Sequence, residues 1–248
     1  MKSRVFLFIS LSLVFFLTWS SIARAQALRE ETEKTAQHLA TLLNVGRLIV
    51  ERNQALIDDP RKGDKGFTPE VFEHDVVDEF IRQTTIDLKH LPSHLPSLAK
   101  ELLPVLLQSS KEVVADAQLV INQKGIGYKN FIPATFGSQA ARKFSNRSQV
   151  KIKQTTLNPR NLKNTPDAYE ENVLKRLATQ PASNTTITEW TDNEKTLRVL
   201  TPIYYLHDCL ACHGSPRGIL DISGYPREGA QEGDLAGAIS IQIPMKSR

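Results

Sequence analysis

Cysteine is nearly absent from this chain, which has two cysteines and two methionines among 248 residues. This scarcity excludes a multi-disulfide scaffold and a four-cysteine zinc site. Charge of one sign is also lacking, since 31 basic residues face 27 acidic ones and the formal net charge is +4. Without a basic cluster, the sequence predicts no nucleic-acid partner.

Long apolar runs are absent except at the N-terminus, where Lys2 and Arg4 precede the apolar residues 5–19. Residues 23–25 read Ala-Arg-Ala, the small-x-small pattern before a signal-peptide cleavage site. We therefore predict a signal peptide over residues 1–25 and export to the periplasm. An uncleaved signal that anchors the protein in the membrane is the alternative. Cleavage would remove three of the 31 basic residues and none of the 27 acidic ones, so the formal charge would fall from +4 to +1.

Both cysteines lie in one short motif, because residues 209–213 read Cys-Leu-Ala-Cys-His. This pattern is typical of covalent attachment of a c-type haem. Cys209 and Cys212 would form thioethers with the haem vinyl groups, and His213 would be an axial ligand of the iron. A redox dithiol or a lone disulfide would not need the histidine that follows. Export agrees with this prediction, since bacteria attach haem c beyond the inner membrane.

The order of predicted elements is helices first and then a mixed region with antiparallel strands, which indicates an α+β fold. We expect a long amphipathic N-terminal helix, a helical region over residues 26–124 and a haem c-binding region over residues 125–248, together forming one structural unit. Spacing and capping patterns predict helices at 27–58, 69–82, 98–124, 132–144 and 168–177, and strands at 150–155, 186–191, 196–204 and 237–243. Thr68 and the segment 165–167 (Thr-Pro-Asp) are predicted to cap two of the helices, and alternation in the last strand places Ile239, Ile241 and Ile243 on one face.

Two further segments could suggest metal sites. The loop 58–66 is polar and rich in chain breakers, and the spacing of its acidic residues does not fit an EF-hand. His90 and His94 lie four residues apart, but Pro92 and Pro96 disfavour the helix that would bring them together. We expect ordinary loops at both places. Next to the Cys-x-x-Cys-His motif, Tyr204 and Tyr205 either pack on the macrocycle or fill the sheet core.

Several segments in combination resemble the family of periplasmic haem c domains with a PAS-like fold, the Tll-like haem proteins. The segments that carry the resemblance are 125–134 (Gly-Ile-Gly-Tyr-Lys-Asn-Phe-Ile-Pro-Ala), 164–170 (Asn-Thr-Pro-Asp-Ala-Tyr-Glu), 202–205, 209–214 and 232–240. The resemblance implies a PAS-like antiparallel sheet with flanking helices and one covalently bound haem. It also implies that Cys209 and Cys212 carry the thioethers and that His213 is the proximal ligand.

The resemblance favours sensing, because similar domains occur alone or as inputs of chemoreceptors and histidine kinases. The prediction is a redox or small-ligand sensor that signals through a separate partner, such as a membrane sensor kinase or chemoreceptor. The alternative is a soluble electron carrier that meets a periplasmic redox protein. Redox catalysis is a third possibility, although no catalytic residue can be identified. The long N-terminal helix is a plausible homodimer interface.

The distal iron ligand stays open at this stage. The cyanobacterial type takes it from a cysteine, whereas this chain has no third cysteine, and the equivalent stretch by counting lies near residues 133–134. The remaining candidates are His38, His74, His207, Met245, a lysine, Tyr128 and water. We expect His74 to be a surface residue and His207 to be too constrained to reach the distal side.

Overall fold

The computed structural model describes residues 4–245 apart from residues 181 and 184, with side chains described from residue 23 onward. Lys2 of the predicted signal peptide lies outside the described residues. The α-helices are α1 (Arg4–Arg52), α2 (Gln54–Ile57), α3 (Pro69–Thr84), α4 (Ser97–Asp116), α5 (Gln118–Ile121), α6 (Pro133–Ser145), α7 (Ala168–Ala178) and α8 (Leu210–His213). The strands are β1 (Lys151–Thr155), β2 (Ile187–Thr191), β3 (Thr196–Tyr204) and β4 (Leu235–Pro244).

Helix α1 buries one stripe of apolar side chains at spacings of three and four residues, including Leu39, Leu43 and Val50. The helix predicted to reach residue 58 instead ends at Arg52. The break at Asn53 is local, because its backbone N–H and its side-chain amide both donate to the carbonyl of Ile49, and the short helix α2 continues to Ile57. Within the described residues, no helix has both the length and the apolar character to cross a membrane.

Local signals set the ends of the next helices. Thr68 caps α3 through its hydroxyl, and Pro69 occupies the first helical position. The helix predicted for residues 98–124 is shorter than expected, since α4 ends at Asp116 and the separate turn α5 follows Ala117. Pro104 lies inside α4.

The sheet is antiparallel, with strand order β1-β4-β3-β2. Ile241 on the central strand β4 pairs with Ile152 of β1 and with Val199 of β3. As predicted, Ile239, Ile241 and Ile243 share one buried face of the sheet. This face packs on the layer formed by α1, α3, α4 and α6, which is called the helical layer below. The opposite face carries Leu200 and Ala238, which pack with buried side chains of α7. The model is therefore α+β, with an antiparallel sheet and flanking helices as predicted.

A close strand approach requires glycine at position 237. The β-carbon of any other residue there would lie 2.4 Å from the carbonyl oxygen of Thr155 on β1. Gly237 also adopts a φ of 154°. The central strand can therefore pair closely with β1 only because this position lacks a side chain.

The main core lies between α1, α3, α4, α6 and the sheet. Its centre holds phenylalanines in edge-to-face contact, with the rings of Phe72 and Phe136 5.2 Å apart. Gly46 allows α1 to approach, since a β-carbon there would lie 2.8 Å from the Phe136 ring. The same buried cluster contains residues from both predicted regions, 26–124 and 125–248.

Candidate haem c site

The Cys-x-x-Cys-His motif follows β3 on a tight turn. A 3₁₀ turn over His207–Cys209 runs directly into α8, and Gly214 ends it by donating its N–H to the carbonyl of Leu210. A β-carbon at position 214 would lie 2.6 Å from that carbonyl oxygen, so glycine is needed to close the turn. Cys209 and Cys212 are both partly exposed and form no disulfide.

Helix α1 reaches the motif through its last turn. The Sγ of Cys209 lies 3.6 Å from the Oε1 of Glu51 and 3.4 Å from the backbone nitrogen of Leu206. Burial is the main cause that raises the pKa of both motif thiols above the usual value. As free thiols, the two side chains are therefore protonated at neutral pH.

The imidazole of His213 is held through its Nδ1 atom. Nδ1 lies 2.8 Å from the Oε2 of Glu228 and 3.4 Å from the hydroxyl of Tyr205. The Tyr205 ring also packs beside the imidazole, with ring centroids 4.8 Å apart. Among the described residues, the Nε2 atom has no hydrogen-bond partner, so it is the nitrogen available to a metal.

Arg160, from the loop after β1, organises the acidic groups beneath His213. Its guanidinium donates to Glu228 at 2.7 and 2.9 Å and to the Oδ2 of Asp221 at 2.6 Å. It also donates to the backbone carbonyl of Cys212 at 3.0 Å. One side chain therefore links the motif backbone to two carboxylates.

Asp221 in turn shapes the segment 218–227, which folds back on itself through a bridge between Leu220 and Pro226. The Oδ1 of Asp221 accepts hydrogen bonds from the backbone N–H groups of Ser223 and Tyr225. Below, this segment is called the motif hairpin.

Hydrogen bonds keep the carboxyl groups of the site ionised. Burial opposes ionisation of Glu228, but the hydrogen bonds from Arg160 and His213 outweigh it and lower the pKa of this carboxyl. Burial likewise opposes ionisation of Asp221, whose pKa is nevertheless lowered by Ser223 and Arg160. Burial raises the pKa of Tyr205 to about 12. At neutral pH, His213 therefore faces an ionised carboxylate and a neutral phenol.

Exposed apolar side chains are concentrated in the part of the sequence that contains the motif. Five of the twelve large apolar residues exposed in the described part of the chain lie within residues 206–225: Leu206, Ile219, Leu220, Ile222 and Tyr225. Apolar side chains are usually buried unless they meet a partner or ligand. Two thiols, an imidazole with a free Nε2 and an apolar surface are the groups that covalent haem binding requires, so the donor set fits haem c.

Sequence reasoning identified the three motif residues, which are neighbours along the chain, but missed Glu228, Arg160 and Asp221. Arg160 lies 52 residues before Cys212 in a loop, and no spacing pattern connects the two. Of the two motif tyrosines, Tyr205 lies against His213, whereas the hydroxyl of Tyr204 pairs with the backbone of Ser183.

Several distal-ligand candidates lie far from the motif. His38 is 13 residues before Glu51 on α1, which places it about 20 Å along the helix. The sulfur of Met245 lies 3.9 Å from Thr32, still farther along α1. His74 is exposed on α3 beside acidic residues, as predicted.

Other candidates lie near the motif or are tied elsewhere. His207 is part of the turn that leads into Cys209. Burial raises the pKa of Tyr128, and the nearby thiol of Cys212 contributes to the same shift. The Lys129 ammonium is bonded to the carbonyls of Gln123 and Ile126. Among the described residues, no cluster of three or more His, Cys, Asp or Glu side chains could hold a separate metal ion.

The model of the Tll0287-like family matches residues 23–244 of the chain. The protein belongs to this family. Family membership confirms the resemblance that the sequence segments predicted. Among solved structures, the cyanobacterial heme-protein Tll0287 aligns at 17% identity with a TM-score of 0.43, covering 62% of this chain and 98% of that one. No match was found among curated proteins.

Proposed function

We propose that this member of the Tll0287-like family is an exported protein that carries one covalent haem c. Cys209 and Cys212 form the thioethers, and His213 is the proximal iron ligand. The observation that carries the proposal is the orientation of His213, whose Nδ1 is engaged by Glu228 at 2.8 Å while Nε2 is left for a metal. The solved structure with which the chain aligns is also described as a heme-protein.

Haem c supplies an iron centre that can change oxidation state or take a small ligand. The residues of this chain supply its surroundings. The motif turn presents both thiols and the imidazole, and Glu228 orients that imidazole. The exposed apolar side chains of the motif hairpin would offer an apolar surface to the macrocycle.

The role that the geometry supports best is a redox or small-ligand sensor that signals through a separate partner. The supporting observation is the direct contact between Cys209 and Glu51 at the end of α1. Arg29 and Glu33, farther along the same helix, bind Glu194 and Trp190 of the β2–β3 hairpin. A change in the position of the motif would therefore act on α1 directly and on the β2–β3 hairpin through α1.

The second candidate is a periplasmic electron carrier. It is favoured by the partial exposure of both motif thiols, because a haem attached to them would have an edge near the surface. Electron transfer to a partner needs such an accessible edge and no conformational change.

Export fits both roles. The family match begins at residue 23, which leaves most of the proposed signal peptide outside it. Intact-mass measurement on periplasmic protein should find a chain that begins at Gln26 and carries one haem. A mass that includes residues 1–25 would point to the anchored alternative.

Covalent attachment is tested by producing the protein in a periplasm competent for haem c maturation. After denaturing electrophoresis, the wild-type band should keep its haem stain. Cys209→Ser and Cys212→Ser should weaken covalent attachment, while His213→Ala should keep attachment and change the iron spectrum. His74→Ala, which changes an exposed histidine on α3, is the matched control. A wild-type protein without bound haem would overturn the proposal.

Sensor and carrier are separated by comparing oxidised, reduced and carbon monoxide-treated protein. Amide hydrogen exchange should differ among these states in α1 and in the β2–β3 hairpin if the protein is a sensor. Identical exchange in all states, together with fast electron exchange with a small redox mediator, would favour the carrier.

A further inference from the structure

We infer that Glu228 and Arg160 are positioning residues that set the electronic character of the axial imidazole and hence the reduction potential of the site. Glu228 acts directly on His213, and Arg160 acts through Glu228. The inference rests on the proposed function, since it concerns the ligand of the bound haem.

The contact between Glu228 and His213 fixes which nitrogen carries the proton. A carboxylate oxygen can only accept a hydrogen bond, so at 2.8 Å the proton of the neutral imidazole lies on Nδ1. This tautomer leaves the lone pair on Nε2. An anionic acceptor on Nδ1 also increases the donor strength of Nε2, which favours ferric over ferrous iron.

Arg160 fixes the carboxylate that performs this role. Its Nε and one terminal nitrogen bind the two oxygens of Glu228 at 2.7 and 2.9 Å, in a bidentate arrangement. Another nitrogen binds Asp221, whose side chain is fully buried. Glu228 is therefore locked in orientation and shares its cation with a second anion.

The charge arrangement distinguishes this cluster from an ordinary surface ion pair. Arg160 and Glu228 are each largely buried, with 22% and 32% of their side chains exposed. Of the two carboxylates, only Glu228 contacts the imidazole, whereas Asp221 contacts Arg160 and the backbone of the motif hairpin. The Tyr205 hydroxyl lies farther from Nδ1, at 3.4 Å, so Glu228 is the closer partner of the imidazole.

The main test is Glu228→Gln in the haem-loaded protein. Glutamine keeps the size of the side chain and can still accept from Nδ1, but it removes the charge. We expect intact covalent haem, an upward shift of the midpoint potential and changed g-values in the electron paramagnetic resonance spectrum of the ferric form. Glu232→Gln, which changes a more exposed carboxylate four residues later, should leave both measurements at the wild-type values.

Arg160→Lys and Asp221→Asn separate positioning from loop stability. Lysine keeps a cation but cannot bind both oxygens of Glu228, so the potential should shift upward by less than in Glu228→Gln. Asp221→Asn weakens another Arg160 contact while leaving the Glu228 pair, and its potential should stay closest to wild type. If Glu228→Gln does not accumulate with haem, the Arg160→Lys measurement decides the question.

The outcomes separate the two proposals. A wild-type protein that attaches haem and changes spectrum in His213→Ala, but has the same potential in Glu228→Gln and Arg160→Lys, would overturn only the inference on positioning. An equal shift in Glu232→Gln would overturn it as well, because any nearby carboxylate would then suffice. A wild-type protein without haem would instead overturn the proposed function.

Discussion

The helical layer and the motif region are built in different ways. In the helical layer, α1, α3, α4 and α6 bury apolar side chains almost completely, with Phe72 and Phe136 at its centre. In the motif region, residues 206–234, apolar side chains are exposed and polar contacts to Arg160 hold the backbone.

The stability of the fold and the chemistry of the site therefore come from different regions of the molecule. Apolar burial contributes roughly 25 cal/mol per Å² and supplies most of the folding free energy. A few charged hydrogen bonds contribute less to global stability but fix directions, which a metal ligand requires. We therefore expect substitutions in the two regions to have different effects.

The largest effect is expected from Phe72→Ala in the helical layer. The ring is fully buried and contacts Phe67 and Phe136 edge to face, so its removal leaves a cavity. We expect a loss of about 3–5 kcal/mol in the free energy of unfolding, measured by chemical denaturation. Leu119→Ala, at a side chain that is 89% exposed, is the control and should change stability little. Equal losses in both variants would contradict the assignment of stability to the buried core.

A smaller and more local effect is expected from Arg160→Gln. The substitution leaves Glu228 and Asp221 without their shared cation and weakens the hold on the Cys212 carbonyl. Hydrogen exchange should become faster in residues 213–230, while exchange in α4 stays close to wild type.

Arg61→Gln provides the matched control for this measurement, because Arg61 is highly exposed and its guanidinium binds the nearby Asp59. Faster exchange throughout the chain in Arg160→Gln would show that the motif region and the helical layer unfold together.

The smallest effect concerns a surface ion pair of the helical layer and depends on pH. Hydrogen bonds from Arg147 and Gln108 lower the pKa of Glu112 to about 2, from an ordinary value of 4.5. The pair therefore stabilises the fold at and above pH 4.5, and this contribution is lost as the pH falls toward 2. Because both side chains are partly exposed, the contribution at pH 7 should be at most about 1 kcal/mol.

Denaturation of Glu112→Gln at several pH values tests this expectation. Its difference from wild type should be largest near neutral pH and should shrink below pH 4.5. Glu171→Gln, which breaks a more exposed pair with Lys175 on α7, should show a smaller difference. A difference for Glu112→Gln that grows in acid would contradict the assignment.

Local patterns carried the prediction of the fold. The alternation of Ile239, Ile241 and Ile243 placed them on one buried face, and the caps at Thr68 and Asp167 marked the starts of α3 and α7. Such signals act over a few residues, so one sequence contains them in full.

The predicted helix bounds were wrong at two positions. The breaks at Asn53 and Ala117 interrupt stretches whose apolar spacing continues, so periodicity alone could not locate them. Within the site, the motif residues were evident from spacing, whereas Glu228 and Arg160 are brought to His213 by the folding of separate loops. No periodic pattern in the sequence indicates that these side chains meet.

Helix α1 has the geometry of a lever. Glu51 lies at the motif and Arg29 lies 22 residues away, about 33 Å along the helix, at the β2–β3 hairpin. With Glu51 as the pivot, a tilt of about 5° would displace Arg29 by about 3 Å, which is the length of a hydrogen bond. A displacement too small to disturb the packing near the motif would thus be sufficient to break or form a contact at the opposite end of the molecule.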